Sequence, residues 1–348
     1  MQTAIASLIV FGIIIFVHEF GHFIIARLVG IRVEEFALGM GPKILSTKKG
    51  DTVYSLRVFP LGGFCKMAGE NGNQGYDTVE VYDPGRFDQK SVKARMGVVV
   101  AGPLMNFFLA AVLLSLIFIF LGVPKDYTTK IGDIAAGGPA ESAGIMAGDK
   151  VLQVNDTEIN LWSEMVAIIN GNPGVPLKMQ IERSGSLQNI VVTPKLDPDR
   201  KVGLIGITPV DLIWQRIGFF AGLKAGLLQT WDMTVLIVTG LVDLVRGKVG
   251  VEGIAGPVGI VKIIGESTRF GLVNVVNLTA LISINLGLIN LLPIPALDGS
   301  RLLFMLYEAI RGKPVNPKKE GYIHLVGFAL LMGFMVMVTF QDILKIFM

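Results

Sequence analysis

The chain has 348 residues, of which 51% are hydrophobic, and a formal net charge of +3. Its mean hydropathy of +0.60 exceeds what a soluble protein of this size needs to build a core, so the composition indicates a membrane protein. The charge is too small and too scattered to suggest a nucleic-acid partner, and the single cysteine, Cys65, excludes intrachain disulfides and cysteine-based zinc clusters.

The first predicted transmembrane segment, residues 1–30, contains the motif HEFGH. In a helix, His18 and His22 lie on one face, where both imidazoles can bind one zinc ion, and Glu19 can hold a water molecule bound to that ion. Polar groups inside lipid are costly and usually mark function, which favours this hypothesis over hydrogen bonds between helices. No charge precedes Glu19 and no signal-peptide cleavage site is visible, so we expect this helix to be retained.

Residues 31–96 form a region that we expect to be cytoplasmic and associated with the membrane. It contains ten Lys and Arg residues between 30 and 95, and positively charged loops remain in the cytoplasm. Alternating apolar and polar residues, together with Gly62 and Gly63, predict short β-hairpins near 54–66 and just upstream. Irregular backbone beside lipid is tolerated only where protein covers it or water lines it, which favours a cavity here.

The second predicted segment, residues 97–123, begins near the sequence AGPLMNF. Gly102 and Pro103 allow neighbouring helices to approach closely, and Asn106 could bind a peptide backbone or hydrogen-bond another helix. Residues 124–210 follow as a small soluble module with predicted strands, two short helical stretches and a hairpin around 184–186.

Residues 211–268 contain a fifth apolar stretch, at about 225–242, which includes Asp232. Trp214 and Trp231 favour an amphipathic region that lies at the membrane interface over one that spans the bilayer.

The third predicted segment, residues 269–300, ends in NLGLINLLPIPALDGS. Two prolines break the helix just before Asp298, and this geometry could bend the carboxylate back into the bundle as a third zinc ligand. Asn290, eight residues earlier, could hold a substrate backbone or hydrogen-bond another helix.

The fourth predicted segment, residues 321–348, contains His324, the one histidine outside the HEFGH motif. We favour a position in the interfacial aromatic belt for His324 over a role as a metal ligand.

The predicted loop at 301–320 holds five Lys and Arg residues, so it should be cytoplasmic and both chain termini extracytoplasmic. With four spans, the first and third segments both run inwards and bring His18 and Asp298 to the same inner half of the bilayer. A fifth span at 225–242 would separate these two residues, so the zinc hypothesis favours four.

These motifs together resemble the site-two protease family of intramembrane zinc metalloproteases. The similarity is to the bacterial branch of the regulator of sigma-E protease type, which cleaves anti-sigma factors and remnant signal peptides. The matching features cover nearly the whole chain in family order: HEFGH, AGPLMNF, a single PDZ-like module, GIAGPVGIVK at 253–262 and NLGLINLLPIPALDG.

The resemblance implies that His18, His22 and Asp298 bind Zn²⁺ and that Glu19 is the catalytic base. It implies equally that Asn290 contacts the substrate.

In the same way, the resemblance implies that Leu61, Gly62 and Gly63 bind substrate as part of a membrane-associated β-loop. Such a loop can add the unwound substrate as an extra strand, since a protease needs an extended backbone. The PDZ-like module would bind or filter substrate ectodomains.

We therefore predict an α-helical polytopic membrane protein with four transmembrane helices, a membrane-associated β-hairpin region and an inserted extracytoplasmic α+β PDZ-like domain. It would act in the inner (cytoplasmic) membrane as a zinc endopeptidase on single-span proteins or signal peptides. Two other classes are a non-enzymatic PDZ-bearing sensor or scaffold and a metal transporter. The carboxylate of Glu19 argues against a scaffold, and the absence of an internal sequence repeat argues against a transporter.

Overall fold

The structure, a computed structural model, describes residues 2–70, 83–198, 200–250 and 255–347. Within these ranges the helices are α1 (Gln2–Leu28), α2 (Val92–Phe120), α3 (Pro139–Ser142), α4 (Trp162–Gly171), α5 (Phe219–Val245), α6 (Pro257–Arg269), α7 (Leu272–Leu291), α8 (Asp298–Arg311) and α9 (Pro317–Phe347). The strands are β1 (Val33–Lys49), β2 (Thr52–Met67), β3 (Val123–Tyr127), β4 (Ile131–Ile134), β5 (Lys150–Val154), β6 (Thr157–Glu158), β7 (Leu177–Arg183), β8 (Ser186–Val192), β9 (Lys195–Leu196), β10 (Gly203–Leu204), β11 (Ile207–Pro209) and β12 (Leu212–Gln215). The chain divides into two compact units, Met1–Ile117 with Leu223–Met348, and Phe118–Gly222.

Five helices in the described ranges are long and apolar enough to cross a membrane: Gln2–Leu28, Val92–Phe120, Phe219–Val245, Leu272–Leu291 and Lys318–Lys345. Four of them cover the four predicted segments. The fifth, α5, is the least apolar and covers the stretch that the sequence assigns to the interface. The chain is therefore a multi-pass membrane protein in which length and composition alone would allow five spans.

Helices α1 and α2 pack antiparallel. Gly21 of α1 lies against Ala101 of α2, because a Cβ on Gly21 would come within 2.4 Å of the Ala101 carbonyl oxygen. Towards the other end of both helices, Leu109 of α2 packs on a buried cluster that contains Val10 of α1. Residue numbers fall along α1 as they rise along α2, which fixes the antiparallel direction.

Helix α7 also runs antiparallel to α2. Ser283 Oγ donates a hydrogen bond to the Asn106 carbonyl oxygen at 2.8 Å. Gly287 packs on Pro103, whose carbonyl oxygen would lie 2.9 Å from a Cβ on that glycine. It follows that α1 and α7 run in the same direction across the unit.

The short helix α6 packs beside the first half of α1. Its Ile264 is fully buried with Val10 and Ile14, and an added Cβ on Gly265 would meet Thr3. At the start of α6, the buried carboxylate of Asp342 in α9 accepts hydrogen bonds from two backbone N–H groups, at 3.2 and 2.8 Å. The motif GIAGPVGIVK therefore begins a helix that α9 anchors, although residues 253 and 254 lie outside the described ranges.

Strands β1 and β2 form a hairpin that is longer than the short hairpins expected from the sequence. Lys49 lies opposite Thr52 at the turn, and the pairing continues to Val33 opposite Met67. Residues 35–38 are paired twice, with 53–56 and with 63–66. This double pairing folds the hairpin back on itself and keeps residues 63–66 close to α1.

The unit Phe118–Gly222 contains a four-stranded sheet of order β6–β5–β7–β8, with α4 and α3 packed around one hydrophobic core. The hairpin predicted around 184–186 is confirmed, since β7 and β8 pair through a turn in which Ser184 and Gly185 have φ of 50° and 80°. Such positive values are those of a type I′ turn, which suits the twist of a hairpin.

Two sequence expectations need correction. The stretch 301–320 is not simply a loop, because α8 occupies it as far as Arg311. The region 211–268 is not wholly helical, because β12 pairs with β3 and so extends the soluble unit beyond residue 210. That pairing joins segments about 85 residues apart, which local sequence patterns do not reveal.

Candidate metal centre and active site

Two side chains of α1 and one of α8 meet after the break in the third apolar segment. His18 and His22, both buried, lie on one face of α1. Asp298 stands in the first turn of α8, after α7 has ended at Leu291. Its Oδ2 lies 3.2 Å from His18 Nε2 and 3.4 Å from His22 Nε2, and the two Nε2 atoms are 3.3 Å apart. The structure thus brings the three predicted ligands into one cluster.

The spacing of the three atoms fits a zinc ion. Zinc–ligand bonds of about 2.0–2.1 Å place the corners of a tetrahedron about 3.3 Å apart. The three observed separations run from 3.2 to 3.4 Å. Two imidazole nitrogens and a carboxylate oxygen are donors that zinc accepts, and three protein ligands leave the fourth corner open for water or substrate.

The opposite nitrogen of each imidazole has a partner on α2. His22 Nδ1 lies 2.8 Å from the Val98 carbonyl oxygen, to which it can donate only when Nδ1 carries the proton. His18 Nδ1 lies 3.2 Å from Nδ2 of the fully buried Asn106 amide, and Asn106 Oδ1 is buried without a partner among the described residues. Metal binding through Nε2 requires a proton on Nδ1, and the amide then has to present its oxygen. The Val98 contact leaves His22 Nε2 free for a metal, and exchanging the Asn106 amide oxygen and nitrogen does the same for His18.

Glycine at position 102 makes room for the imidazoles. A Cβ there would lie 2.3 Å from His22 Nε2 and 2.9 Å from His18 Nε2. Any side chain at this position would collide with the candidate ligand atoms of the two imidazoles. The AGPLMNF motif therefore contributes a close approach through Gly102 and a hydrogen-bonding partner through Asn106.

Ion pairs on two sides hold α8, the helix that begins with Asp298. Arg301 donates to Glu70, just after β2, at 2.5 Å. Arg95 in α2 donates to Glu308 at 2.6 Å. Three of these four side chains are mostly buried, and Arg301 is about one-third exposed. The helix is therefore tied to both the hairpin and α2.

The hairpin passes directly beside Glu19. A Cβ on Gly63 would lie 3.3 Å from Glu19 Cγ and 2.9 Å from the Ala37 carbonyl oxygen. Gly62 has φ of 98°, a region that favours glycine. The side chain of Leu61 lies outside the described residues. Of the predicted substrate-binding glycines, Gly63 thus adjoins the predicted base, whereas Gly62 packs on Met40.

The sequence also pointed to Asn290 and His324. Asn290 is half-buried in α7, and its side chain makes no hydrogen bond to the described residues. His324 is absent from the group of convergent ligand atoms and instead accepts a hydrogen bond from the Ala296 N–H at 3.0 Å. This contact could not be predicted from the sequence, because nothing in the local pattern of α9 links residue 324 to the turn before Asp298.

Comparison with known proteins covers nearly the whole chain. The model of peptidase family M50 matches residues 6–334. A zinc metalloprotease RasP from Geobacillus kaustophilus is 36% identical over 423 residues, which is 100% of this chain and 99% of the relative. Since the alignment is longer than the chain, the relative carries segments that this chain lacks.

Two further curated relatives have similar names. A putative zinc metalloprotease from Clostridium acetobutylicum is 36% identical and covers 97% of this chain and 96% of its own. The regulator of sigma-W protease RasP of Bacillus subtilis is 33% identical over the full length of both chains. Among solved structures, the PDZ domain of an SdrC-like protein from Listeria innocua covers 26% of this chain and 99% of its own, at 13% identity and a TM-score of 0.23, too low to assign a fold.

Proposed function

Because the chain belongs to peptidase family M50 and is an intramembrane zinc metalloprotease, we propose that His18, His22 and Asp298 hold its zinc ion and that Glu19 is its general base. The observation that carries this assignment is the set of three separations of 3.2–3.4 Å among the ligand atoms. Membership of a peptidase family also favours catalysis over the scaffold and transporter alternatives.

The proposed chemistry is hydrolysis of a peptide bond. A bound zinc ion supplies Lewis acidity and lowers the pKa of water towards 7. The Glu19 carboxylate accepts a proton from the attacking water and later delivers it to the nitrogen of the leaving amine. Val98 and Asn106 hold the two imidazoles in the tautomer that keeps Nε2 available. A C–O bond replaces the scissile C–N bond, and the products are a carboxylate and an amine.

The proposed substrate enters as an extended strand beside Glu19. Among the described strands, residues 63–66 pair only with 35–38, which leaves their other edge without a strand partner. A substrate segment can pair along this edge, with Leu61, Gly62 and Gly63 presenting backbone groups. Asn290, whose amide is not engaged by the described residues, can bind the substrate backbone.

We infer four spans rather than five. Helices α1 and α7 run in one direction and α2 in the other, so the chain between α2 and α7 crosses the bilayer an even number of times. If α5 crossed, a second crossing would have to follow before residue 272. Helix α6, about 20 Å long, lies beside Thr3, Val10 and Ile14 in the first half of α1. This position supports an interfacial α5.

We infer further that the termini and the unit Phe118–Gly222 are extracytoplasmic and that the hairpin and α8 face the cytoplasm. The ten Lys and Arg residues between 30 and 95 support this orientation. The strand and helix order of the soluble unit supports a PDZ-like module that binds or filters substrate ectodomains. The name of the Bacillus subtilis relative, regulator of sigma-W protease, supports anti-sigma factors as substrates. The family resemblance of the motifs adds remnant signal peptides as a second group.

The test uses the full chain purified in detergent. Zinc per chain and cleavage of a model transmembrane peptide are measured for wild type, Glu19→Gln and His18→Ala. We expect Glu19→Gln to keep its zinc and lose cleavage, and His18→Ala to lose both. Cleavage at the wild-type rate by Glu19→Gln would remove Glu19 as the base, and full zinc occupancy in His18→Ala would remove the proposed site.

A further inference from the structure

The turn that delivers Asp298 to the cluster has a strained backbone. The Leu297 N–H donates to the Ile294 carbonyl oxygen at 3.1 Å and closes a four-residue turn with Pro295 and Ala296 at its centre. Ala296 has φ of 78°. A type II turn requires this value at its third residue, where glycine is usual, and favours proline at its second. An alanine in this conformation costs free energy, so its surroundings must hold it there.

Helix α9 makes the contacts that hold this turn. The Ala296 N–H is not used by the turn itself, and it donates to His324 Nδ1 at 3.0 Å. Three residues further along α9, Gly327 packs on Pro295. A Cβ on Gly327 would lie 2.2 Å from Pro295 Cβ and 2.8 Å from the Pro295 carbonyl oxygen. One hydrogen bond and one close backbone approach therefore fix the two central residues of the turn.

The same histidine also contacts α8 at a residue that follows Asp298 in the chain. The ring of Phe304 in α8 meets the His324 ring edge-on, with the centroids 5.7 Å apart. Helix α9 thus contacts the chain on both sides of Asp298, at Ala296 two residues earlier and at Phe304 six residues later. Neither His324 nor Gly327 belongs to the group of convergent ligand atoms.

We propose that His324 and Gly327 form a clamp that positions Asp298 as a zinc ligand. This inference rests on the proposed function, since it assumes that Asp298 binds the metal. His324 acts as a positioning residue through the Ala296 N–H. Without that acceptor, Ala296 is free to relax towards negative φ, and the carboxylate two residues later moves relative to the two imidazoles. Groups that orient a metal ligand typically change metal affinity by about 10- to 100-fold.

The experiment measures zinc affinity of the full chain in detergent, by competition with a chromogenic chelator. Wild type is compared with His324→Leu, which removes the acceptor, and with His324→Asn, whose Oδ1 can take the place of Nδ1. The visible spectrum of the Co²⁺-loaded protein reports ligand geometry independently of activity. We expect His324→Leu to bind zinc about tenfold more weakly with an altered cobalt spectrum, and His324→Asn to restore most of both.

A matched glycine pair tests the clamp without touching the histidine. Gly327→Ala should push Pro295 away and weaken zinc binding, whereas Gly333→Ala, on the same helix, meets nothing within 4 Å and should bind zinc as wild type does. If His324→Leu does not fold, the comparison of Gly327→Ala with Gly333→Ala still tests the clamp. Lower thermal stability with unchanged zinc affinity and cobalt spectrum in His324→Leu or Gly327→Ala would overturn the clamp.

Asp298→Ala distinguishes a failure of the proposed ligand set from a failure of the clamp. Loss of zinc in Asp298→Ala together with wild-type affinity in His324→Leu and Gly327→Ala would leave the proposed site intact and reject the clamp. Wild-type zinc affinity in Asp298→Ala would reject the ligand set itself and the clamp with it.

Discussion

Gly102 of α2 packs directly on the imidazole of His22, so that a Cβ at position 102 would lie 2.3 Å from His22 Nε2. That distance is far below a van der Waals contact. The neighbouring atoms are ring nitrogens on a buried helix face, which cannot yield in the way that the end of a flexible side chain can. The two helices therefore lie at a separation that only glycine allows.

We expect Gly102→Ala to displace the imidazoles and to lower both the zinc content and cleavage of a model transmembrane peptide to background. The matched control is Gly97→Ala on the same helix, where the added Cβ would make an ordinary contact of 3.9 Å with Ile25. Zinc per chain by elemental analysis and helicity by circular dichroism separate site loss from misfolding. Normal zinc content in Gly102→Ala would show that α2 can shift to accommodate a methyl group.

Asn106 should affect metal affinity through His18. Replacing its buried amide by the similarly sized Leu removes the partner of His18 Nδ1, and we expect zinc to bind about 10- to 100-fold more weakly. Asn106→Asp keeps an oxygen acceptor and should retain most of the affinity. Chelator competition measures both variants. Equal affinities in Asn106→Leu and Asn106→Asp would mean that the amide only joins two helices.

Glu35 should make the hairpin sensitive to acid. Its carboxylate accepts from Ser55 at 2.6 Å, Arg57 at 2.8 Å and Lys43 at 3.1 Å. Burial alone would raise the pKa of Glu35. These three donors lower it by a larger amount, so that the pKa falls from 4.5 to about 2. Since the folded pKa lies below the unfolded one, the stabilisation is complete above pH 4.5 and is lost as the pH falls to about 2.

The corresponding experiment is hydrogen exchange of the hairpin amides in Glu35→Gln. At pH 7 we expect faster exchange than in wild type, by less than the ~3 kcal/mol that the whole pKa shift would give, because water screens part of the interaction. The difference should narrow below pH 4.5. Glu34→Gln is the control, because its ion pair with Lys66 is exposed and exposed pairs contribute little. A difference that does not depend on pH would show that the carboxylate charge is unimportant.

The number of spans can be tested at Lys248, just after α5. In a Cys65→Ser background, four spans predict that Lys248→Cys reacts with a membrane-impermeant maleimide added outside intact cells, because α5 begins and ends on that side. Ser186→Cys in the soluble unit should react likewise, and Lys313→Cys between α8 and α9 should react only after lysis. Protection of Lys248→Cys in intact cells would instead indicate that α5 crosses.

Local sequence motifs were enough to predict which side chains cluster. His18 and His22 follow from helical spacing, and Asp298 from two prolines that break an apolar run. The hairpin at 184–186 follows from alternation around a turn. In each case the determinant lies within a few residues of the feature, so the one-dimensional pattern contains it.

The basic residues at 301–320 suggested a loop, but local signals in the same stretch specify α8: Asp298 in the first turn, Arg311 in the last turn and Gly312 in the left-handed conformation at the C-cap. Other features depend on partners far along the chain. The double pairing of 35–38 and the contact between His324 and Ala296 join segments that no periodicity connects. Tertiary packing, rather than local pattern, determines these two contacts.

The Glu70–Arg301 ion pair has a thermodynamic consequence. It joins the end of the hairpin to α8, three residues beyond Asp298, so the ordered hairpin and the assembled ligand set share one contact. Coupling of this kind is reciprocal. If an ordered hairpin raises the metal affinity by some factor, bound metal favours the ordered hairpin by the same factor. A strand that docks on the hairpin and orders it would therefore raise the affinity for zinc. Protein without zinc would bind such a strand more weakly. Substrate binding and zinc retention would then be linked equilibria.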